Sequence, residues 1–119
     1  MNRFKQLIKS FAHAINGLSY VIKTERNFRI ELTAAILVVA AMIYFRVTHS
    51  EMMVLFIIIS GVLVMELLNT TIERVVDILK PRVHPYAGLI KDIMAASVLL
   101  SSFLAVIVGL IIFIPYIFS

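Results

Sequence analysis

The chain contains no cysteine, so disulfides and thiolate metal sites are excluded within it. It is also poor in charge: 15% of its 119 residues are Asp, Glu, Lys or Arg, against about a quarter in an ordinary soluble domain. There is no GxxxxGK[ST] sequence and no glycine-rich kinase loop, so a nucleotide site cannot be built in either familiar way. No clustered His and Cys residues suggest a zinc site. No cleavable signal peptide is evident, since the first long apolar run begins only after about 30 residues.

What is present is hydrophobic: 61% of the chain, gathered into long runs that suit membrane spans better than one large core. Three runs stand out, at residues 30–47, 52–72 and 93–118. Residues 1–29 form an N-terminal segment and connector, with Phe4, Leu7, Ile8, Phe11, Ile15, Leu18 and Ile22 at helical spacing and Lys5, Lys9, His13, Asn16 and Lys23 on other faces. The spacing predicts an amphipathic helix in the membrane interface plane. The first span is short, so its helix is expected to start before Ile30 and to carry Glu31 near the interface. Arg46 to Glu51 forms the first turn. The second helix is expected to continue to about Leu79, Lys80–Gly88 to be the one true loop because of Pro81, Pro85 and Gly88, and Pro115 to sit harmlessly in the last turn. The fold class is therefore an all-α membrane protein: one surface helix and three transmembrane helices in a single domain, 1–119.

The formal charge of +4 lies mostly beside these runs, so anionic lipid is the expected partner, not nucleic acid. Arg3, Lys5, Lys9, Lys23, Arg26 and Arg29 precede the first span, and Arg74, Lys80, Arg82 and Lys91 surround the second connection. The first turn offers only Arg46. Three spans put the N-terminal segment and the second connection on one side, and the positive-inside rule makes it cytoplasmic. Glu25, Glu66, Glu73, Lys91 and Asp92 then approach the same boundary.

Two carboxylates stand within or at the end of an apolar helix, in VLFIIISGVLVMELLNTTIERVVD, Val54 to Asp77. An ionised carboxylate in hydrocarbon costs several kcal/mol, on the order of 3 at the least, so it needs a task or a partner. At about 100° per residue, Glu66, Asn69, Glu73 and Asp77 share an arc of roughly 80°. A lone subunit would turn this seam to lipid, which predicts a homo-oligomer that buries it. Carboxylates with one amide suit a hard cation such as Mg²⁺, which readily bridges to phosphate oxygens. Lys91 would neutralise a polyphosphate, and a carboxylate off the metal would take a proton from a hydroxyl. These parts fit phosphoryl transfer from a nucleotide. The blander reading makes these charges interfacial anchors pairing with Arg74, Lys80 and Arg82; the rival functions are a non-enzymatic membrane scaffold whose seam only cements subunits and a cation conduit lined by Glu66 and Glu73. The conduit is disfavoured because the seam stops at one face.

MELLNTTIERVVD resembles the ELLN[ST]AIE-x-x-VD signature of the small bacterial integral-membrane lipid kinases, the diacylglycerol kinase and undecaprenol kinase family. TERNFRIE, HPYAGLIKDIMAASV and the ending GLIIFIP match in order and spacing, from about Arg3 to Pro115. TERNF, the His-Pro pair and the ending resemble the Gram-positive-type undecaprenol kinase branch. The resemblance implies a homotrimer, a trimeric helical bundle in the bacterial cytoplasmic membrane, with composite active sites facing the cytoplasm. It implies Glu66 as the general base on the lipid hydroxyl. Glu25 and Glu73 would bind the Mg²⁺ of ATP, and Asn69 would position the reacting groups. Lys91, Asp92, Arg82, His84 and His13 would contact the nucleotide. Glu25 owes its place to the resemblance alone. Undecaprenol is the first expected substrate and diacylglycerol the alternative. Thr71 departs from the usual alanine, and Gln6, Leu89, Ile90 and Met94 depart near the proposed site without removing a proposed catalytic group.

Overall fold

The computed structural model describes residues 2–119; Met1 and the side chains of Pro81, Val83 and His84 lie outside the described residues. Helix α1 spans Arg3–Thr24. Its start is capped by the Asn2 side chain, which accepts from the Lys5 amide at 2.9 Å. Lys23 in the last turn complements the negative end of the helix dipole. Phe4, Leu7, Ile8, Phe11 and Ile15 remain exposed, and Val21 is its one buried residue.

Helix α2 spans Arg26–Phe45 and follows α1 after a single extended residue, Glu25. One extended residue is enough to turn the chain because Arg29 reaches back and donates to the Ile22 and Lys23 carbonyls, at 2.8 and 3.1 Å. Those carbonyls would otherwise be orphaned at the end of α1. Phe28 buries itself in the corner. At its far end α2 stops on Arg46, which adopts the left-handed conformation (φ 53°, ψ 52°), a place more often held by glycine.

Helix α3 spans His49–Ile117, 69 residues. Thr48 and Glu51 form a reciprocal capping box at its start, at 3.2 and 3.0 Å. A straight helix of that length would measure roughly 100 Å, yet the longest dimension of the molecule is 57 Å. The helix therefore folds back into two limbs, His49–Lys80 and Pro85–Ile117. Ile112 packs with Leu55, the Tyr116 hydroxyl donates to Glu51, and Lys91 pairs with Asp77.

The expected loop at Lys80–Gly88 is thus corrected. The chain reverses there, but the backbone stays helical through it. Pro81 and Pro85 each remove one helical hydrogen bond, and a helix can bend at such points without unwinding on either side.

The end of the molecule that carries the Arg46 turn is closed by a small core. Met42, Val47, Leu55 and Ile112 are buried, and the Phe45 ring lies 6.0 Å from both Phe113 and Tyr116. Elsewhere the surface is apolar: Leu37, Ile43, Leu99 and Phe103 are all more than 60% exposed. Such a surface suits lipid or neighbouring subunits, not water. Arg26–Phe45 and the two limbs of α3 are each long and apolar enough to cross a membrane.

Candidate active site

The helical spacing read from the sequence survives folding. Glu66, Asn69, Thr70 and Glu73 lie along the first limb of α3, turned toward the rest of the chain. Glu66 is 2% exposed and Thr70 5%, the buried polar residues of the molecule among those described. Glu25 and Glu73 lie within Coulombic reach of Glu66. The corner between α1 and α2 thereby brings Glu25 to a seam about 40 residues downstream.

Asn69 donates from Nδ2 to Glu73 Oε1 at 3.1 Å, while its own Oδ1 is buried without a hydrogen-bond partner. An orphaned amide oxygen beside a carboxylate is an unmet demand for a donor or a cation. Glu25 Oε1 meets Arg74 Nη2 at 2.6 Å, and Arg74 Nε donates to the Tyr20 hydroxyl at 3.2 Å. Lys91 Nζ meets Asp77 Oδ1 at 2.6 Å, beside the bend. These are the two ion pairs among the described residues, and neither includes Glu66 or Glu73.

Arg82, Asp92 and His13 are exposed, and no hydrogen bond joins them to this group among the described residues. The His84 side chain lies outside the described residues.

Glu31, expected near the interface from the span boundaries, is half-buried in the fold. Its Oε2 is buried without a partner, and its charge couples to Glu66. The sequence does carry a signal for it: Glu31 is the sole acidic residue of an otherwise apolar α2 beyond its first turn, the same oddity that marks Glu66.

Two apolar grooves flank the first limb of α3, and one of them is lined by a carboxylate, Glu31. One, about 370 Å³, runs between α2 and both limbs of α3, with Glu31 at its edge and Leu55, Ile59, Leu63, Gly109 and Phe113 along its walls. The other, about 650 Å³, lies between α1 and the first limb, where Gly17, Leu18, Leu67, Thr71 and Arg74 line it. Both fall in the size range of ligand-binding clefts. A carboxylate lining a greasy cleft and a second one buried in the fold, in a protein whose helices are long and apolar enough to cross a membrane, suit a membrane enzyme acting on a lipid.

The chain belongs to the prokaryotic diacylglycerol kinase family, whose model matches residues 12–113. It is 37% identical to an undecaprenol kinase of Bacillus subtilis over 96% of this chain and 93% of that protein. It is 37% identical to a diacylglycerol kinase of Synechocystis over 95% of this chain and 65% of that protein. Against the Escherichia coli diacylglycerol kinase the identity is 32%, over 87% of this chain and 85% of that protein. The protein is a lipid kinase.

The donor set suits the divalent cation that accompanies ATP. No three His, Asp or Glu groups cluster tightly enough to hold a metal by themselves among the described residues. Mg²⁺ rarely asks for that, because one or two carboxylates plus substrate phosphates usually complete its octahedron. Glu25, Glu73 and the unpartnered oxygen of Asn69 are hard oxygen donors of the right kind.

Proposed function

We propose that this kinase transfers the γ-phosphoryl group of ATP to undecaprenol, in a site at the cytoplasmic face of the bacterial inner membrane. The observation that carries the reading is Glu66: a buried carboxylate without an ion pair, near Glu25 and Glu73. A carboxylate kept dry and unpaired is costly, and its proton affinity is what that cost maintains.

In this reading the lipid's apolar body lies in a groove and its hydroxyl meets Glu66. The hydroxyl proton passes to the Glu66 carboxylate as the new O–P bond forms. The bond between the γ-phosphorus and the β–γ bridging oxygen breaks, and ADP leaves. Glu25 and Glu73 would hold the Mg²⁺ of the nucleotide, which would supply charge neutralisation at the phosphates. Asn69 fixes the Glu73 carboxylate through its 3.1 Å hydrogen bond. Lys91 contacts the nucleotide as a mobile cation, since its ammonium has three donors and Asp77 takes only one of them. Asp92, Arg82, His84 and His13 complete the nucleotide contacts. Positioning and charge neutralisation supply most of the catalysis, as expected for phosphoryl transfer.

Three subunits close the site, each turning exposed apolar faces such as Leu37 and Ile43 toward a neighbour or lipid. Helix α1 lies in the interface plane with Phe4, Leu7 and Phe11 in the acyl region and its lysines toward headgroups.

The test is a mixed-micelle assay with labelled ATP, offering undecaprenol and diacylglycerol separately. A higher kcat/KM for undecaprenol supports the reading. Preference for diacylglycerol, the substrate in the names of the Synechocystis and Escherichia coli relatives, overturns the substrate assignment and leaves the site intact.

A further inference from the structure

We propose that Arg74 is a positioning residue for the divalent-cation site: clamped by Tyr20, its guanidinium fixes the Glu25 carboxylate through one oxygen and leaves the other for the metal. This rests on the reading of Glu25 as a ligand of the nucleotide's Mg²⁺.

Glu25 is the single extended residue between α1 and α2, with φ −109° and ψ 107°. No helix sets the direction of its side chain, so something else must. Arg74 does so with a charge-assisted hydrogen bond from Nη2 to Oε1 at 2.6 Å. Oε2 takes no part in that bond.

Arg74 is itself restrained twice, which an incidental surface pair would not require. Its Nε donates to the Tyr20 hydroxyl at 3.2 Å, and its guanidinium carbon stands 5.9 Å from the centre of the Tyr20 ring. That ring contact lies within cation–π range. The order of contacts is therefore Tyr20 on α1, Arg74 on α3, and Glu25 at the corner.

Arg74 also follows Glu73 directly in sequence, so one turn of α3 carries a candidate metal ligand and the group that orients its counterpart. The Arg74 and Glu25 side chains are 42% and 21% exposed, open enough for a nucleotide arriving from water. Ligating carboxylates commonly depend on such outer hydrogen bonds, and losing one typically weakens metal binding about 10- to 100-fold.

The experiment uses the full-length protein in detergent micelles with Mn²⁺ and the non-transferable β,γ-methylene analogue of ATP, reading bound Mn²⁺ from water-proton relaxation. Glu25→Gln should remove most of the bound signal. Arg74→Ala should weaken Mn²⁺ binding about tenfold, and in turnover should raise the KM for Mg²⁺ while kcat at saturating Mg²⁺ stays near wild type. Arg74→Lys should recover part of the loss, and Tyr20→Phe, which keeps the ring and removes the hydroxyl, should lose a few-fold.

A Glu25-dependent signal that Arg74→Ala leaves unchanged or strengthens overturns this inference alone, since Arg74 would then be only a competing counter-ion. If Arg74→Ala does not fold, wild-type binding in both Arg74→Lys and Tyr20→Phe overturns it equally. Absence of any Glu25-dependent signal removes the metal role of Glu25, and the inference with it.

Discussion

Replacing Glu66 should separate stability from activity in opposite directions. The side chain is 2% exposed, makes no ion pair, and feels the charges of Glu25 and Glu73. Burying an unpaired carboxylate costs several kcal/mol after relaxation, and apolar replacements of buried charges gain about 1–4 kcal/mol where the site packs well. The like charges of Glu25 and Glu73 add to that cost. Glu66→Met has nearly the same length and no polar atoms. We expect it to stabilise the folded protein by about 1–3 kcal/mol. Glu66→Gln keeps the shape and removes the base, and should cost about 10²- to 10⁴-fold in kcat with little change in KM for ATP.

The assay is reversible unfolding in mixed micelles of dodecylmaltoside and SDS, read by circular dichroism, beside lipid phosphorylation by the same preparations. If Glu66→Met is destabilised by more than about 1 kcal/mol, Glu66 is a structural group and the reasoning fails. Near-normal turnover in Glu66→Gln would falsify its assignment as the base.

Four further outcomes follow from local structure. Arg46 holds a left-handed conformation that costs a side-chain residue roughly 1 kcal/mol relative to glycine, so Arg46→Gly should raise stability by up to about that amount in the same unfolding assay, with turnover unchanged. Thr48→Ala removes the capping box of α3 and should cost about 1 kcal/mol. Tyr116→Phe, which loses the hydrogen bond to Glu51, should lower the unfolding midpoint while leaving kcat unaffected. Gly109 lines the groove beside Glu31, and a Cβ there meets nothing within 4 Å. Gly109→Ala should be tolerated, whereas Gly109→Leu should raise the KM for lipid several-fold; an unchanged KM would show that the lipid chain does not use this groove.

Hydropathy alone makes the three membrane-crossing helices legible. A span is a local property: some twenty apolar residues are apolar wherever the chain goes. The polar face of Glu66, Asn69 and Glu73 is legible for the same reason, since helical periodicity fixes neighbours three and four residues apart. The reversal at 81–84 is marked by a pair of prolines, but its form is not. Whether a proline-rich segment unwinds or stays helical depends on how the two limbs pack, through contacts such as Asp77 with Lys91. Span boundaries say how far along its helix Glu31 lies but not what it faces, because its burial is set by the limbs of α3 that flank it.

By itself the amino-acid order determined the helices, their apolar lengths, the acidic seam and, through the ELLNTTIE run, the family. Folding alone decided that Glu25 meets Arg74 across 49 residues, that Tyr116 meets Glu51 across 65, and that Glu31 lines a groove against both limbs of α3. The physical reason is range. Helix geometry ties together residues one turn apart, whereas a contact between helices depends on which faces turn toward each other, and that is settled only when the greasy limbs pack.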